Sequence, residues 1–200
     1  MTHSLGSIEW DAAAADFDDE PDHGMRDPEV RAAWAGRLAG WLPQAPGDLL
    51  DLGCGTGSVS LLAAERGHRV TGVDFAPNMV ERARQKLAGH DAEFLVGDAA
   101  SPPVPAASYD AVLARHVLWA LPDPAVALRH WVTLLRPGGR LVLVEGVWGE
   151  VSPAGIPATR LVGLVRDLAD DVRHEELSPD ARLWGRAVRD ERYAVVATGR

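Results

Sequence analysis

The 200-residue chain predicts an α/β fold. It reads as a doubly wound sheet of about seven strands, mostly parallel, with one antiparallel strand near the C-terminus. Three observations predict this. Short apolar runs alternate with stretches of helical periodicity from residue 48 onward. The first run leads into Gly53-Cys54-Gly55-Thr56-Gly57, with glycine at alternate positions. Later runs end on Asp74, Asp98 and Arg115-His116, as in open sheets that bind ligands beyond their strand ends.

The elements follow in order. Residues 1–27 are polar, acidic and poorly periodic, and are expected to form a lid ahead of one domain spanning 28–200. Their acidic run, Asp16, Asp18, Asp19, Glu20 and Asp22, reads either as a solvated entry segment or as a lid that repels anions or meets a cation. From Pro28 to about Leu42, Val30, Ala33, Trp34, Leu38 and Trp41 recur at helical spacing, with Asp27 suited to cap and Pro28 to the first turn. Pro43–Gly47 is a turn. Leu49–Leu52 is a short buried strand. Val59–Arg66 is a helix stopped by Gly67. His68–Val73 is the second strand. Pro77–Leu87 is a helix with Asn78, Glu81, Arg82 and Lys86 outward. Glu93–Val96 is the third strand, and Ser101–Ala107 a proline-rich loop. Tyr109–Ala114 is the fourth strand and Pro124–Leu135 a helix. Pro137-Gly138-Gly139 is a sharp turn before the fifth strand, Arg140–Gly146. Residues 160–172 predict a helix with Leu161, Leu164, Val165 and Leu168 on one face. Two strands, near Arg182–Val188 and Tyr193–Thr198, are joined by a short Arg-Asp-Glu connection that implies a hairpin.

Composition narrows the classes of function. At 46% hydrophobic the chain can bury one sizeable core. No apolar run reaches the ~18 residues of a membrane span. The first seven residues lack the basic and apolar stretches of a signal peptide, so a cytoplasmic protein is expected. The single cysteine, Cys54, excludes an internal disulfide, and no metal site is expected. A net charge of −9 without a basic cluster argues against nucleic-acid partners. Lys86 is the only lysine among many arginines, a bias that suggests a GC-rich bacterial source.

The strand ends carry the candidate chemistry. Glycines at 53, 55 and 57 let backbone approach a ligand closely. Asp74 can accept hydrogen bonds from ribose hydroxyls or cap the next helix. Phe75 packs either on a purine or in the core. Asp98 and the Ala99 amide can read an adenine edge, or Asp98 is a surface acid. A dinucleotide loop reads Gly-x-Gly-x-x-Gly and seats pyrophosphate on a helix N-terminus. Here Asp51 stands two residues before the first glycine and would oppose a diphosphate. It favours a ligand with an ammonium group and no phosphate, as S-adenosylmethionine is.

These motifs resemble those of the class I S-adenosylmethionine-dependent methyltransferases, whose fold is Rossmann-like. Residues 48–57 resemble their first motif, Val73–Met79 the second and Gly97–Ala99 the third. Tyr109-Asp110 through Trp119–Leu121, and Leu135–Arg140, resemble the later ones. The similarity covers about residues 45–146 and is nearest to the small-molecule branch like ubiquinone biosynthesis. Residues 115–124, the N-terminal Phe17–Gly24 and the C-terminal Leu183–Gly185 and Asp190–Tyr193 are similar to a bacterial subgroup of unassigned substrate.

The resemblance implies roles. Gly53, Gly55 and the Cys54 backbone would cradle the methionine part, with Asp51 near its ammonium. Asp74 would hold the ribose, and Gly57, Phe75 and Met79 would count among the cofactor-binding residues. Asp98 and Ala99 would read the adenine, and the Arg115 carbonyl would face the methionine end. S-adenosylhomocysteine would be the product.

On the acceptor side, His116 follows the fourth strand and reads as a general base or as a structural residue at the cofactor's edge. His23, on the N-terminal segment, is a second candidate base. Trp119 and Trp148 line an acceptor pocket or fill the core. Glu145 meets the acceptor or is a buried, hydrogen-bonded carboxylate. The stretch Val147–Thr159 is short for a substrate insertion, so the N-terminal segment is expected to roof the pocket over a small-molecule acceptor. Carbon, nitrogen and oxygen acceptors all remain open. A monomer or homodimer is expected. The alternatives are a non-catalytic S-adenosylmethionine-binding regulator or partner subunit, and an NAD-dependent oxidoreductase, which Asp51 and the glycine spacing oppose.

Overall fold

A computed structural model describes residues 7–149 and 154–200. The strands are β1 (Asp48–Leu52), β2 (Arg69–Asp74), β3 (Ala92–Val96), β4 (Tyr109–Arg115), β5 (Leu135–Trp148), β6 (Ala154–Gly155), β7 (Ala169–Glu176) and β8 (Glu191–Gly199). The helices are α1 (Ser7–Ala13), α2 (Pro21–Gly24), α3 (Pro28–Trp41), α4 (Ser58–Ala64), α5 (Pro77–Lys86), α6 (Pro124–Leu134) and α7 (Ala158–Arg166), with short 3-10 turns at Phe17–Asp19, Leu118–Ala120 and Ala181–Leu183.

The eight-stranded sheet runs β3-β2-β1-β4-β5-β8-β7, with β6 paired to the end of β5. β1 to β5 are mutually parallel. β8 runs antiparallel to both β5 and β7. The order reverses at β1, flanked by β2 and β4, and a crevice therefore opens above its carboxyl end.

Alternate side chains of the central strands feed two separate cores, as expected for a sheet covered on both faces. Leu49, Val70, Leu113 and Val142 pack under α3 and α4 through Trp34, Leu38, Trp41 and Leu62. Leu50, Leu52, Val112 and Leu141 pack under α6 and α7 through Leu128, Trp131, Leu161 and Val165. Asp27 caps α3, accepting from the Glu29 and Val30 amides at 2.7 and 3.4 Å. Asp123 caps α6 in the same way at 2.9 and 3.0 Å. Each cap is worth about 1 kcal/mol.

The C-terminal third departs from the sequence reading. The helix stops at Arg166, and residues from Ala169 form β7 instead. β7 lies at the sheet edge, and its sequence ADDVRHEE is largely exposed. Its polar side chains bind α3: Arg37 pairs with Glu175, and the Trp41 Nε1 donates to Glu175 at 2.8 Å. The strand expected near 182–188 does not form. Leu183 and Trp184 are buried against α3, where Trp34 Nε1 donates to the Leu183 carbonyl at 2.7 Å. β7 and β8 are thus joined by residues 177–190 rather than by a tight hairpin. Pro137–Gly139 lies within β5 as a register shift against β4, with Gly138 at φ 74°. Lys86 is not outward but reaches back to the glycine loop.

No helix among the described residues is long and apolar enough to cross a membrane. Expectations resting on residues 1–6 and 150–153, at the start of the N-terminal segment and within the Val147–Thr159 stretch, lie outside the described residues.

Candidate active site

β1 delivers its chain directly into the loop that needs glycine. Gly53, Gly55 and Gly57 adopt φ of 66°, 53° and 81°. The Gly53 and Cys54 amides donate to the Val73 carbonyl at 2.8 and 3.1 Å, which ties the loop to the end of β2. A Cβ on Gly53 would come within 2.3 Å of Val117 Cγ2. A Cβ on Gly55 would meet only the Phe17 ring, at 3.5 Å. The space above Gly55 is therefore free backbone surface under an aromatic roof, a fit for a ligand pressed against the loop. The Cys54 thiol turns away into the cluster of Val80, Ala83, Leu87 and Phe94, and burial pushes its pKa well up.

Three strand-end carboxylates surround this loop. Asp51 is 3% exposed and accepts from Ser60 Oγ at 2.5 Å. Burial pushes it up to about 7 against that hydrogen bond, and the charge of Asp74 adds to the rise. Asp74 accepts from the Gly55 amide at 2.9 Å and the Ala76 amide at 2.9 Å. Burial raises its pKa and these amides oppose the rise. Asp98 is exposed at the rim, where it accepts from the Ala100 amide at 2.8 Å. The Ala99 carbonyl accepts from Trp131 Nε1 at 2.8 Å, and its amide has no partner among the described residues. Phe75, 41% exposed, and Met79, buried, line the same cavity.

β4 delivers the opposite wall. Arg115 lies over the Trp34 ring at 4.5 Å and meets Asp22 at 2.5 Å. His116 takes φ 60°, a left-handed conformation costly outside glycine, while its amide donates to the Val144 carbonyl at 2.8 Å. Its ring packs edge-on against Trp148 at 4.9 Å, and Nε2 is buried without a partner. His23 stacks on Phe17 at 4.3 Å, and its Nδ1 is likewise buried and unpartnered. Burial first and the Arg115 charge second push both imidazoles below their ordinary value, so both are neutral at pH 7. Trp119 donates from Nε1 to the His116 carbonyl at 2.9 Å and meets Trp148 at 5.7 Å.

Glu145 requires a correction. It does not line the cavity. It is fully buried behind the His116 loop, where one oxygen accepts from the Val117 and Leu118 amides at 2.9 and 2.7 Å and the other has no partner. Burial pushes its pKa up to about 8, so it is a neutral acid at pH 7.

The N-terminal segment closes over these parts. Asp11 accepts from the Asn78 amide at 2.7 Å. Asp18 takes the Thr56 hydroxyl at 2.5 Å and the Lys86 ammonium at 2.8 Å, while Lys86 also reaches Ser58 Oγ at 2.8 Å. With the Asp22–Arg115 pair, these contacts border a half-open cavity of about 770 Å³. That volume is in the upper part of the usual ~300–1,000 Å³ range for small-molecule sites. It brings together every sequence-predicted site residue except Gly57 and Glu145. Gly57 instead sits at the start of α4, against Ala83. Trp10, Phe17, Arg186 and Arg192 also line the cavity and were not singled out as site residues. The resemblance over Phe17–Gly24 and Asp190–Tyr193 was the signal that could have found Phe17 and Arg192.

Residues 50–143 match the family described as "Methyltransferase domain". The malonyl-[acyl-carrier protein] O-methyltransferase of Serratia marcescens is 38% identical over 120 residues, covering 60% of this chain and 46% of that protein. The 27-O-demethylrifamycin SV methyltransferase of Amycolatopsis mediterranei is 40% identical over 128 residues, covering 61% and 47%. The chain thus spans less than half the length of these curated relatives. Among solved structures, the N-methyltransferase NodS of Bradyrhizobium japonicum, in complex with S-adenosyl-L-homocysteine, superposes with a TM-score of 0.72 at 19% identity, over 95% of this chain and 98% of that one. That likeness is one of fold.

Proposed function

We propose that this chain, which belongs to the class I S-adenosylmethionine-dependent methyltransferases, transfers a methyl group to a small-molecule acceptor inside the cavity that its N-terminal segment roofs. The observation that carries this reading is the continuity of that cavity. The glycine loop and both imidazole-bearing residues, His23 and His116, line one space. A regulator that only bound cofactor would need no second compartment beside the loop.

The cradle suits S-adenosylmethionine, which supplies an electrophilic methyl group on a sulfonium and leaves as the neutral thioether. Asp51 would face its ammonium, and the backbone at Gly53 and Gly55 would hold the amino-acid part. Asp74 keeps lone pairs beyond its two amide contacts for ribose hydroxyls. Asp98 and the free Ala99 amide would read the adenine, with Phe75 and Met79 against its faces.

The chain's own part in the reaction is alignment, exclusion of water and custody of one proton. The lid, residues 7–27 of the described chain, excludes water through Phe17 and His23. His116 and His23 are neutral, and both rings line the cavity. Either can take the proton of an acceptor hydroxyl or amine as that atom attacks.

Calorimetric titration with S-adenosylhomocysteine, beside NAD as control, tests the cradle. Micromolar binding of the former alone is expected; binding of NAD alone overturns the reading. Turnover with isotopically labelled methyl donor across hydroxyl, amine and carbon acceptors then separates enzyme from regulator. His116→Ala should lower turnover and spare cofactor affinity, and unchanged turnover removes it as the base.

A further inference from the structure

Three arginines, Arg115, Arg186 and Arg192, line the cavity of a chain whose net charge is −9. They are not equivalent. Arg115 is committed to Asp22. Arg192, on β8, is 9% exposed, lies over the Trp184 ring at 4.5 Å and forks onto Asp190 through Nε and Nη2 at 3.1 and 3.0 Å. That fork leaves Nη1 with no hydrogen bond among the described residues. Arg186, on the loop before β8, is exposed and has no ion pair or hydrogen bond among the described residues. Its neighbour Gly185 backs onto Pro21 of α2, which places this loop against the lid.

We infer that Arg192 and Arg186 anchor an anionic oxygen group of the methyl acceptor, a carboxylate or phosphate ester, carried on an aromatic body that packs against Trp119 and Trp148. The inference rests on the methyl-transfer reading of the cavity. Arg192 is held by stacking and by its fork, so little side-chain entropy is lost when Nη1 binds a ligand. A planar guanidinium also matches carboxylate and phosphate oxygens. Asp22 pairs with Arg115 and Asp190 with Arg192, so Arg186 supplies the unpaired positive charge and Arg192 a held donor, while Glu20 stands exposed at the rim.

The test uses the full chain saturated with S-adenosylhomocysteine. Calorimetry compares 1-hydroxy-2-naphthoate, its methyl ester, 1-naphthol and 1-naphthyl phosphate. The acid should bind about tenfold or more tightly than its ester, the scale of a charge-assisted hydrogen bond. Naphthoate ahead of naphthyl phosphate assigns a carboxylate, and the reverse order a phosphate. Arg186→Gln should shrink the acid-to-ester ratio to about threefold or less, with the melting temperature and S-adenosylhomocysteine affinity unchanged because the residue is exposed. Arg192→Lys, which keeps the charge but loses the planar fork, should shrink it as well. Equal binding of acid and ester overturns the inference. So does the absence of any acid binding at millimolar concentration, or a ratio that neither variant alters. Failure of S-adenosylhomocysteine itself to bind counts instead against the methyl-transfer reading.

Discussion

Glu145→Gln tests how the loop carrying His116 is held. In the native chain Glu145 accepts from the Val117 and Leu118 amides with one oxygen, while the other oxygen has no partner. Its pKa is about 8 in the folded chain, against an ordinary 4.5 once unfolding exposes it. The raised value fixes the sign. Below about pH 4.5 both states hold the proton and nothing is lost. From there to about 8 the unfolded chain ionises and the folded chain does not, so stability falls by ~1.4 kcal/mol per pH unit. By pH 8 to 9 the accumulated loss is on the order of 5 kcal/mol.

Glutamine cannot titrate, so it removes this slope. It brings a fixed cost instead, because its NH₂ occupies the site of the unpartnered oxygen, worth about 1–3 kcal/mol. The variant should therefore be less stable than the native chain at pH 5 and more stable at pH 8. The two curves should cross between roughly pH 5 and 7, where the lost slope equals the fixed cost. Asp51 also titrates in this window, at about 7, but it is present in both chains and cancels in the difference. Urea unfolding followed by tryptophan fluorescence at one-unit steps from pH 5 to 9 measures that difference. A difference independent of pH would mean that Glu145 is ionised in the folded chain, and the account of the loop would be wrong.

Gly55→Val places a branched side chain at φ 53°, in the space between the loop and Phe17. S-adenosylhomocysteine affinity should fall about a hundredfold or more while circular dichroism holds, and retained micromolar binding removes the loop as the seat. Asp74→Ala should weaken the same affinity by about 1–3 kcal/mol, and it strands the Gly55 and Ala76 amides; an unchanged binding constant refutes the ribose role. Lys86→Met cuts the bridge from Asp18 to Thr56 and Ser58, so trypsin should cleave after Arg26 several-fold faster, with S-adenosylhomocysteine slowing it again. An unaltered cleavage rate would mean that Lys86 does not hold the segment down.

The central sheet was legible because buried parallel strands leave a strong trace. Leu141–Val144 is a continuous apolar run, and Leu49–Leu52 is apolar except for Asp51 and leads straight into the glycine loop. β7 left no such trace. Its sequence is polar because an edge strand faces solvent and charged residues guard the free edge. The apolar side chains that mimic a strand near 183 belong to a loop whose Trp184 fills a gap beside Trp34, at 5.5 Å. Glu145 was legible as a strand-end carboxylate that either meets the acceptor or is buried and hydrogen-bonded, and the structure takes the second reading. Sequence gives the alternation of a strand, not which face a short loop will cover.

The acidic run exposes the deeper limit. Read as one feature, it was either solvent-facing or functional. The structure divides it: Asp16, Asp19 and Glu20 are exposed, while Asp18 and Asp22 turn inward to Lys86 and Arg115. The Asp22–Arg115 partners stand 93 residues apart, so no local pattern pairs them. The choice of ion pairs also bears on what the segment does. An apolar seal of equal area would be the more stable closure, because buried ion pairs lose in desolvation most of what they gain in attraction. In the proposed lid that loss would be useful: on opening, Asp22 and Arg115 would recover their hydration, so the open and closed states would stay close in free energy, the near balance that admitting and releasing two ligands calls for.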